Sequence, residues 1–305
     1  MENIALHQLK IENNREISIK LFEYLQKLIL ITIKRLMLLF KVFQGNSRHQ
    51  RLLEEIHKIT LMGMNYGWGT EVSQSGELIV LKILRSIYRN HPLIIFDVGA
   101  NIGDYTTEVL KTFGNSVKVY AFEPSSISFK KLKENLNGIN VELFNLGLSD
   151  RNETRALYVE GVSGGGTVYN RRLDHIGVKM DKIEDIELRK LDDFCKENVI
   201  NRINLLKMDI EGHEIAALNG AREMLESGSI DFVQFEFGGC NIDSHTYFQD
   251  FFYLLNPRYR IYRIIKSGLV EISLYKETYE IFTTTNYLAI SRDLEISPRL
   301  RTLFY

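Results

Sequence analysis

The chain is 305 residues long, 45% hydrophobic and 25% charged, which places it among globular proteins and excludes collagen-like, mucin-like and wholly disordered classes. Its length allows two domains, or one large α/β domain with an appendage, and needs no disulfide to hold a core. A net charge of −1 leaves no general positive field, so nucleic acid is not an expected partner, and the two cysteines, Cys195 and Cys240, suit a reducing, cytoplasmic compartment.

In chain order, residues 1–16 mix acids and bases and do not read as a secretory signal. Residues 17–43 are strongly apolar, but Lys34 and Arg35 split the uncharged runs, so a membrane-spanning helix is not expected. Lys20, Lys27, Lys34 and Lys41 recur every seven residues, and Glu23 is the single acid among them. Seven residues is nearly two helical turns, which predicts one basic stripe on an otherwise apolar helix. Such a helix either packs on protein with its lysines in solvent or lies on an anionic membrane as a peripheral contact, at the inner face for a cytoplasmic protein. A second helix is expected over 48–60, then a glycine-rich loop around Trp68, then a helix ending at Tyr88 before Pro92. Residues 1–60 thus read as a helical extension and 61–305 as the main domain.

From residue 93 the pattern alternates. Strands are expected over 93–96, 117–122, 141–144, 203–208 and 230–236, and helices over 104–113, 125–137, 191–199 and 213–226. Residues 154–159 suggest an edge strand or hairpin, and 161–170 a loop with three consecutive glycines. A helix near 244–255 precedes two strand-like runs, 259–265 and 286–291, linked without a helical crossover and therefore antiparallel. The order predicts an α/β, doubly wound, Rossmann-like sheet, mostly parallel with a late antiparallel strand.

In such sheets ligands sit at the carboxyl ends of the strands. The first strand ends in Asp97-Val98-Gly99-Ala100-Asn101-Ile102-Gly103, where Gly99 and Gly103 permit close backbone approach. The G-x-x-x-G spacing fails the dinucleotide pattern, and Asp97 would repel a pyrophosphate but suits a cationic ligand such as the ammonium of a methionine moiety. Glu123, 20 residues beyond Gly103, stands where an acid can accept two ribose hydroxyls. Ser149 and Asp150 follow the third strand and are placed for an adenine edge. S-adenosylmethionine fits all three strand ends. After the fourth strand, Lys207-Met208-Asp209-Ile210-Glu211-Gly212-His213-Glu214 places Asp209 and His213 to take a hydroxyl proton, with Glu211 and, one strand over, Glu236 behind them. Glu211 and Glu214 also suit a plain helix start. Two carboxylates and a histidine could also hold a divalent metal ion.

These motifs, with Phe122-Glu123-Pro124, Leu146-Gly147-Leu148-Ser149-Asp150 and Leu191-Asp192-Asp193-Phe194, make the chain resemble the FkbM family of S-adenosylmethionine-dependent methyltransferases over roughly residues 60–291. Gly147 departs from the alanine usual in that family. The resemblance implies the class I methyltransferase fold and O-methylation of a small-molecule or glycan hydroxyl, a sugar first among them. The 161–170 loop, the Trp68 loop and Tyr247 are candidate acceptor walls. The rival readings are a catalytically degenerate fold acting as a membrane-surface or partner-binding module and, opposed by Asp97, a dinucleotide oxidoreductase.

Overall fold

A computed structural model describes residues 24–32, 34–35, 44–67, 75–89, 91–159, 166–180, 182–296 and 298–305. Contacts divide the chain into two units, Met1–Thr60 and Leu61–Tyr305. In the first, residues 24–32 are helical and their apolar side chains are exposed, among them Leu25, Leu28, Ile29 and Ile31. Lys27, Lys34 and Arg35 are exposed too, whereas Lys20 and Lys41 lie outside the described residues. Helix α1 (Gln50–Gly63) buries no side chain. Among the described residues no helix is long and apolar enough to cross a membrane.

The second unit carries an eight-stranded sheet in the order β11-β10-β12-β9-β8-β1-β2-β3. Strands β1 (Leu93–Val98), β2 (Val117–Phe122), β3 (Glu142–Phe144), β8 (Ile203–Met208) and β9 (Ile230–Phe237) run parallel. Their near-continuous apolar runs are what burial on both faces requires. Strand β12 (Thr285–Ser291) is antiparallel to both β9 and β10 (Tyr259–Ile265), as the missing crossover helix predicted. Strand β11 (Gly268–Ile272), which the pattern did not indicate, adds an antiparallel edge to β10.

Helix α2 (Leu78–Tyr88) buries Ile79, Val80, Ile83 and Leu84, and α3 (Asp104–Phe113) buries Tyr105, Val109 and Phe113, against one face of the sheet. Helix α4 (Ser126–Asn135) contributes Leu132 to a smaller cluster with Ala121 and Leu136. On the other face, Phe96, Tyr120, Phe122, Phe144 and Phe194 of α5 (Leu191–Glu197) meet at ring-centroid distances of 4.9–6.3 Å.

Two expected helices differ from the structure. The run 213–226 splits into α6 (Glu214–Asn219) and α7 (Arg222–Glu226). Here Asp192 accepts the Glu223 and Met224 amides at 2.9 and 3.1 Å and so starts a new helix. The helix expected near 244–255 starts later, as α9 (Phe248–Leu255), and left-handed His245 separates it from a short helix that was not expected, α8 (Cys240–Ser244). Asp250 and Glu280 then accept the first amides of α9.

A second sheet was not foreseen beyond one strand. It orders β4 (Gly147–Leu148), β7 (Lys182–Arg189), β5 (Glu153–Val159) and β6 (Gly166–Thr167). β5 and β7 pair antiparallel, and Leu157, Val159, Ile186 and Leu188 form its own small core.

Candidate active site

Strand order reverses between β1 and β8, and a cleft of about 550 Å³ opens at the carboxyl ends there. One wall is the loop after β1. Gly99 sits at φ +79°, and a Cβ on it would lie 1.9 Å from the Asp209 carbonyl oxygen, so only glycine lets the β1 and β8 loops close on each other. Asn101 and Glu211 are left-handed non-glycine residues, and both line the cleft. Each such conformation costs of the order of 1 kcal/mol, the kind of strain that collects at working sites.

Glu123, at the end of β2, also lines the cleft. Its Oε2 accepts the Asn101 amide at 2.9 Å and its Oε1 the Ser125 amide at 2.8 Å. Burial pushes its carboxyl up to about 7, against those two hydrogen bonds. Gly103 caps α3 at φ +97° against Leu132 and is not among the cleft-lining residues.

Asp209, Glu211, His213 and Glu236 all line the cleft. Asp209 is 40% and Glu211 41% exposed at the side chain. Burial, then the Asp209 and Glu211 charges, hold the Glu236 carboxyl well above the usual carboxylate range. His213 is 4% exposed, with Nδ1 2.9 Å from the Tyr169 hydroxyl and Nε2 2.9 Å from Ser149 Oγ. Burial and then Arg155 lower it to about 4, so the imidazole is neutral and both nitrogens are occupied. Glu214 turns inward and accepts the Ile210 and Gly212 amides, which holds the β8 loop.

Besides Gly103, three expected cofactor contacts are not among the cleft-lining residues. Ser149 is buried against His213, and Asp150 pairs with Arg151 at 3.0 Å; neither is cleft-lining. Asp97 is fully buried, accepting from Thr106 Oγ1 at 2.6 Å and facing Lys207 Nζ at 3.4 Å. Of the expected walls, Gly166, Thr167 and Val168 line the cleft. Residues 161–165 and Trp68 lie outside the described residues, and Tyr247 is not cleft-lining but packs on the Phe282 ring.

Sequence reasoning missed Arg171 altogether. Its guanidinium reaches Glu211 at 3.2 Å and Asp243 at 3.1 Å, and it lines the cleft. Leu157, Ile186 and Leu188 of the second sheet close the same wall. No motif marks them, because the sheet that delivers them is assembled from separated segments. Among the described residues no group of three His, Cys, Asp or Glu side chains is arranged to hold a metal ion. His213, the one imidazole in the expected set, has both ring nitrogens hydrogen-bonded to hydroxyls.

Residues 97–263, more than half of the chain, match the sequence pattern of the methyltransferase FkbM domain. The chain is 24% identical to the 2-O-methyltransferase NoeI of Sinorhizobium fredii, over 47% of this chain and 63% of NoeI. It is 26% identical to the hexuronic acid methyltransferase AglP of Haloferax volcanii, over 48% of this chain and 56% of AglP. It therefore spans less than two thirds of these relatives. Among solved structures, an O-methyltransferase from Bacillus cereus in complex with SAH aligns with TM-score 0.40 and 9% identity, over 84% of this chain and 96% of that one.

Proposed function

This chain belongs to the FkbM methyltransferase family, and from that premise we propose that it transfers a methyl group from S-adenosylmethionine to a hydroxyl oxygen, with a sugar as the leading acceptor class. The observation that carries the reading is Glu123. Its carboxylate is held by one amide on each oxygen, faces the cleft, and keeps a lone pair on each oxygen for a pair of ligand hydroxyls. A cleft of about 550 Å³ also suits a nucleoside-sized ligand together with part of an acceptor. NoeI and AglP are named as a 2-O-methyltransferase and a hexuronic acid methyltransferase, which supports a carbohydrate acceptor.

When bound, S-adenosylmethionine supplies an electrophilic methyl group on a sulfonium that leaves as a thioether. The chain's own residues align the reactants and handle the proton. Glu123 anchors the ribose, and Gly99 and Asn101 give the adjoining wall. Asp209 takes the proton of the acceptor hydroxyl. Glu236, whose protonated form is favoured by burial and by the neighbouring acids, lines the same cleft beside it. His213 braces the Glu211 turn through Ser149 and Tyr169 and does not itself collect the proton.

Titration calorimetry with S-adenosylmethionine tests the cofactor half. Glu123→Ala should lose roughly 1.5–3 kcal/mol of affinity while staying folded, the worth of a charged hydrogen-bond partner. Transfer of a labelled methyl group to glycan fractions tests the rest, and Asp209→Asn should bind the cofactor and lose turnover. Parent-like binding by Glu123→Ala would remove the site assignment.

A further inference from the structure

Strand β8 is buried along its whole length, and its one charged side chain is Lys207, 4% exposed. Its neighbours in register are Asp97 on β1 and Gln234 on β9. Lys207 Nζ lies 3.4 Å from Asp97 Oδ1, 3.5 Å from Asp209 Oδ2 and 5.2 Å from the centre of the Tyr105 ring. Tyr105 donates to Gln234, and Gln234 donates to Glu77, which also accepts from Ser75. The groups around the ammonium are therefore Asp97, Thr106 and Tyr105, Gln234, Glu77 and Asp209. Burial works against the charge on Lys207, but Asp209, Asp97 and Glu77 together raise its pKa, so it stays an ammonium.

The two carboxylates it touches differ. Asp97 is fully buried, whereas the Asp209 side chain is 40% exposed in the cleft. A pair that only joined β1 to β8 would need Asp97 alone. We propose that Lys207 is a positioning residue that holds Asp209 in place on the cleft floor while cancelling the charge of Asp97, so that the floor presents one fixed negative charge. This rests on the methyltransferase reading. In that reading the charge discriminates between S-adenosylmethionine, which carries one net positive charge, and S-adenosylhomocysteine, which is neutral overall.

The test is titration calorimetry of the full chain with both nucleosides, read as the ratio of their affinities. Asp209→Asn should lower the preference for S-adenosylmethionine about tenfold, the size of a charge contact near a protein surface. The double variant Asp97→Asn/Lys207→Met removes the buried pair together, so that neither Asp97 nor Lys207 is left facing an empty partner. It keeps Asp209 but frees it, so the ratio should fall to a similar degree. Adding Asp209→Asn to it should then change little, because the two act as one unit. Lys207→Arg should keep the parental ratio. If the double variant does not fold, Asp97→Asn/Lys207→Gln with and without Asp209→Asn supplies the same cycle. An unchanged ratio without the lysine, or a full further loss on adding Asp209→Asn, overturns the proposal. A parent that binds neither nucleoside would instead bring down the methyltransferase reading itself.

Discussion

At the residue scale the site is a set of carboxyl groups sorted by their surroundings. Glu123 is raised to about 7 by burial, so near neutral pH the free protein holds it partly protonated. Ribose hydroxyls donate best to the ionised form. Below pH 7 a proton must therefore leave before the ligand is held. Affinity for S-adenosylhomocysteine should rise as pH is raised from about 5.5 to 8, approaching tenfold per pH unit at the acid end, and level off above. Calorimetry across that range checks it, and a flat profile counts against Glu123 as the hydroxyl acceptor. His213, lowered to about 4, stays uncharged throughout and adds no step.

Glu214 gives a stability prediction of the opposite sense. Burial raises its carboxyl to about 8 in the folded chain, above the ordinary glutamate value. A group raised on folding stabilises fully below its unfolded pKa, and that contribution is lost as pH rises through the folded one. Between about pH 4.5 and 8 the parent should therefore lose stability relative to Glu214→Gln, by an amount of the order of a few kcal/mol. Melting curves of both proteins at pH 5 and pH 8.5 check this. A gap between them that does not change with pH would mean that Glu214 is ionised in the folded chain.

At the scale of elements, the Leu191-Asp192-Asp193-Phe194 motif has a structural use. Phe194 closes the aromatic cluster beneath β1 and β2, and Asp192, 2% exposed, caps α7 across 31 residues of sequence. Asp192→Ala should cost about 1–2 kcal/mol of stability, as for other helix caps, with cofactor affinity kept in the folded protein. Chemical denaturation and calorimetry separate the two effects. The basic stripe of residues 17–43 is a different kind of element, since no cofactor motif falls within that stretch of sequence. If it lies on a membrane, changing Lys20, Lys27, Lys34 and Lys41 to Gln should remove roughly 1 kcal/mol each of binding to anionic vesicles. Raising salt should weaken binding without erasing it, because the apolar face remains. Vesicles that fail to co-sediment the full chain would leave the packed-helix reading, in which truncation exposes apolar surface and causes aggregation.

At the scale of the whole molecule, parts of the design were readable in advance. Strands β1, β2, β8 and β9 are mostly apolar runs ending in an acid or in a glycine loop, and burial on both faces favours that pattern. Gly99 is equally local in origin, since only a residue without Cβ fits there. The alternation of strands with helices then dictates the parallel order and the position of the cleft, and the sequence alone determined these. It also put Glu123, Asp209, Glu211, His213 and Glu236 at one end of the sheet, where all five line the cleft. Tertiary structure decided the rest. Strand β7 alternates charged residues with only Ile186 and Leu188 buried, and β6 is two residues long, so neither can declare itself without its partner β5. Arg171 reaches the cleft only because that sheet folds over it. Whether an acid at a strand end faces a ligand or a neighbour depends on which side chains the sheet register sets beside it. Register set Lys207 beside Asp97 and turned that acid inward, while Glu123, with only amides for partners, was left facing the cleft.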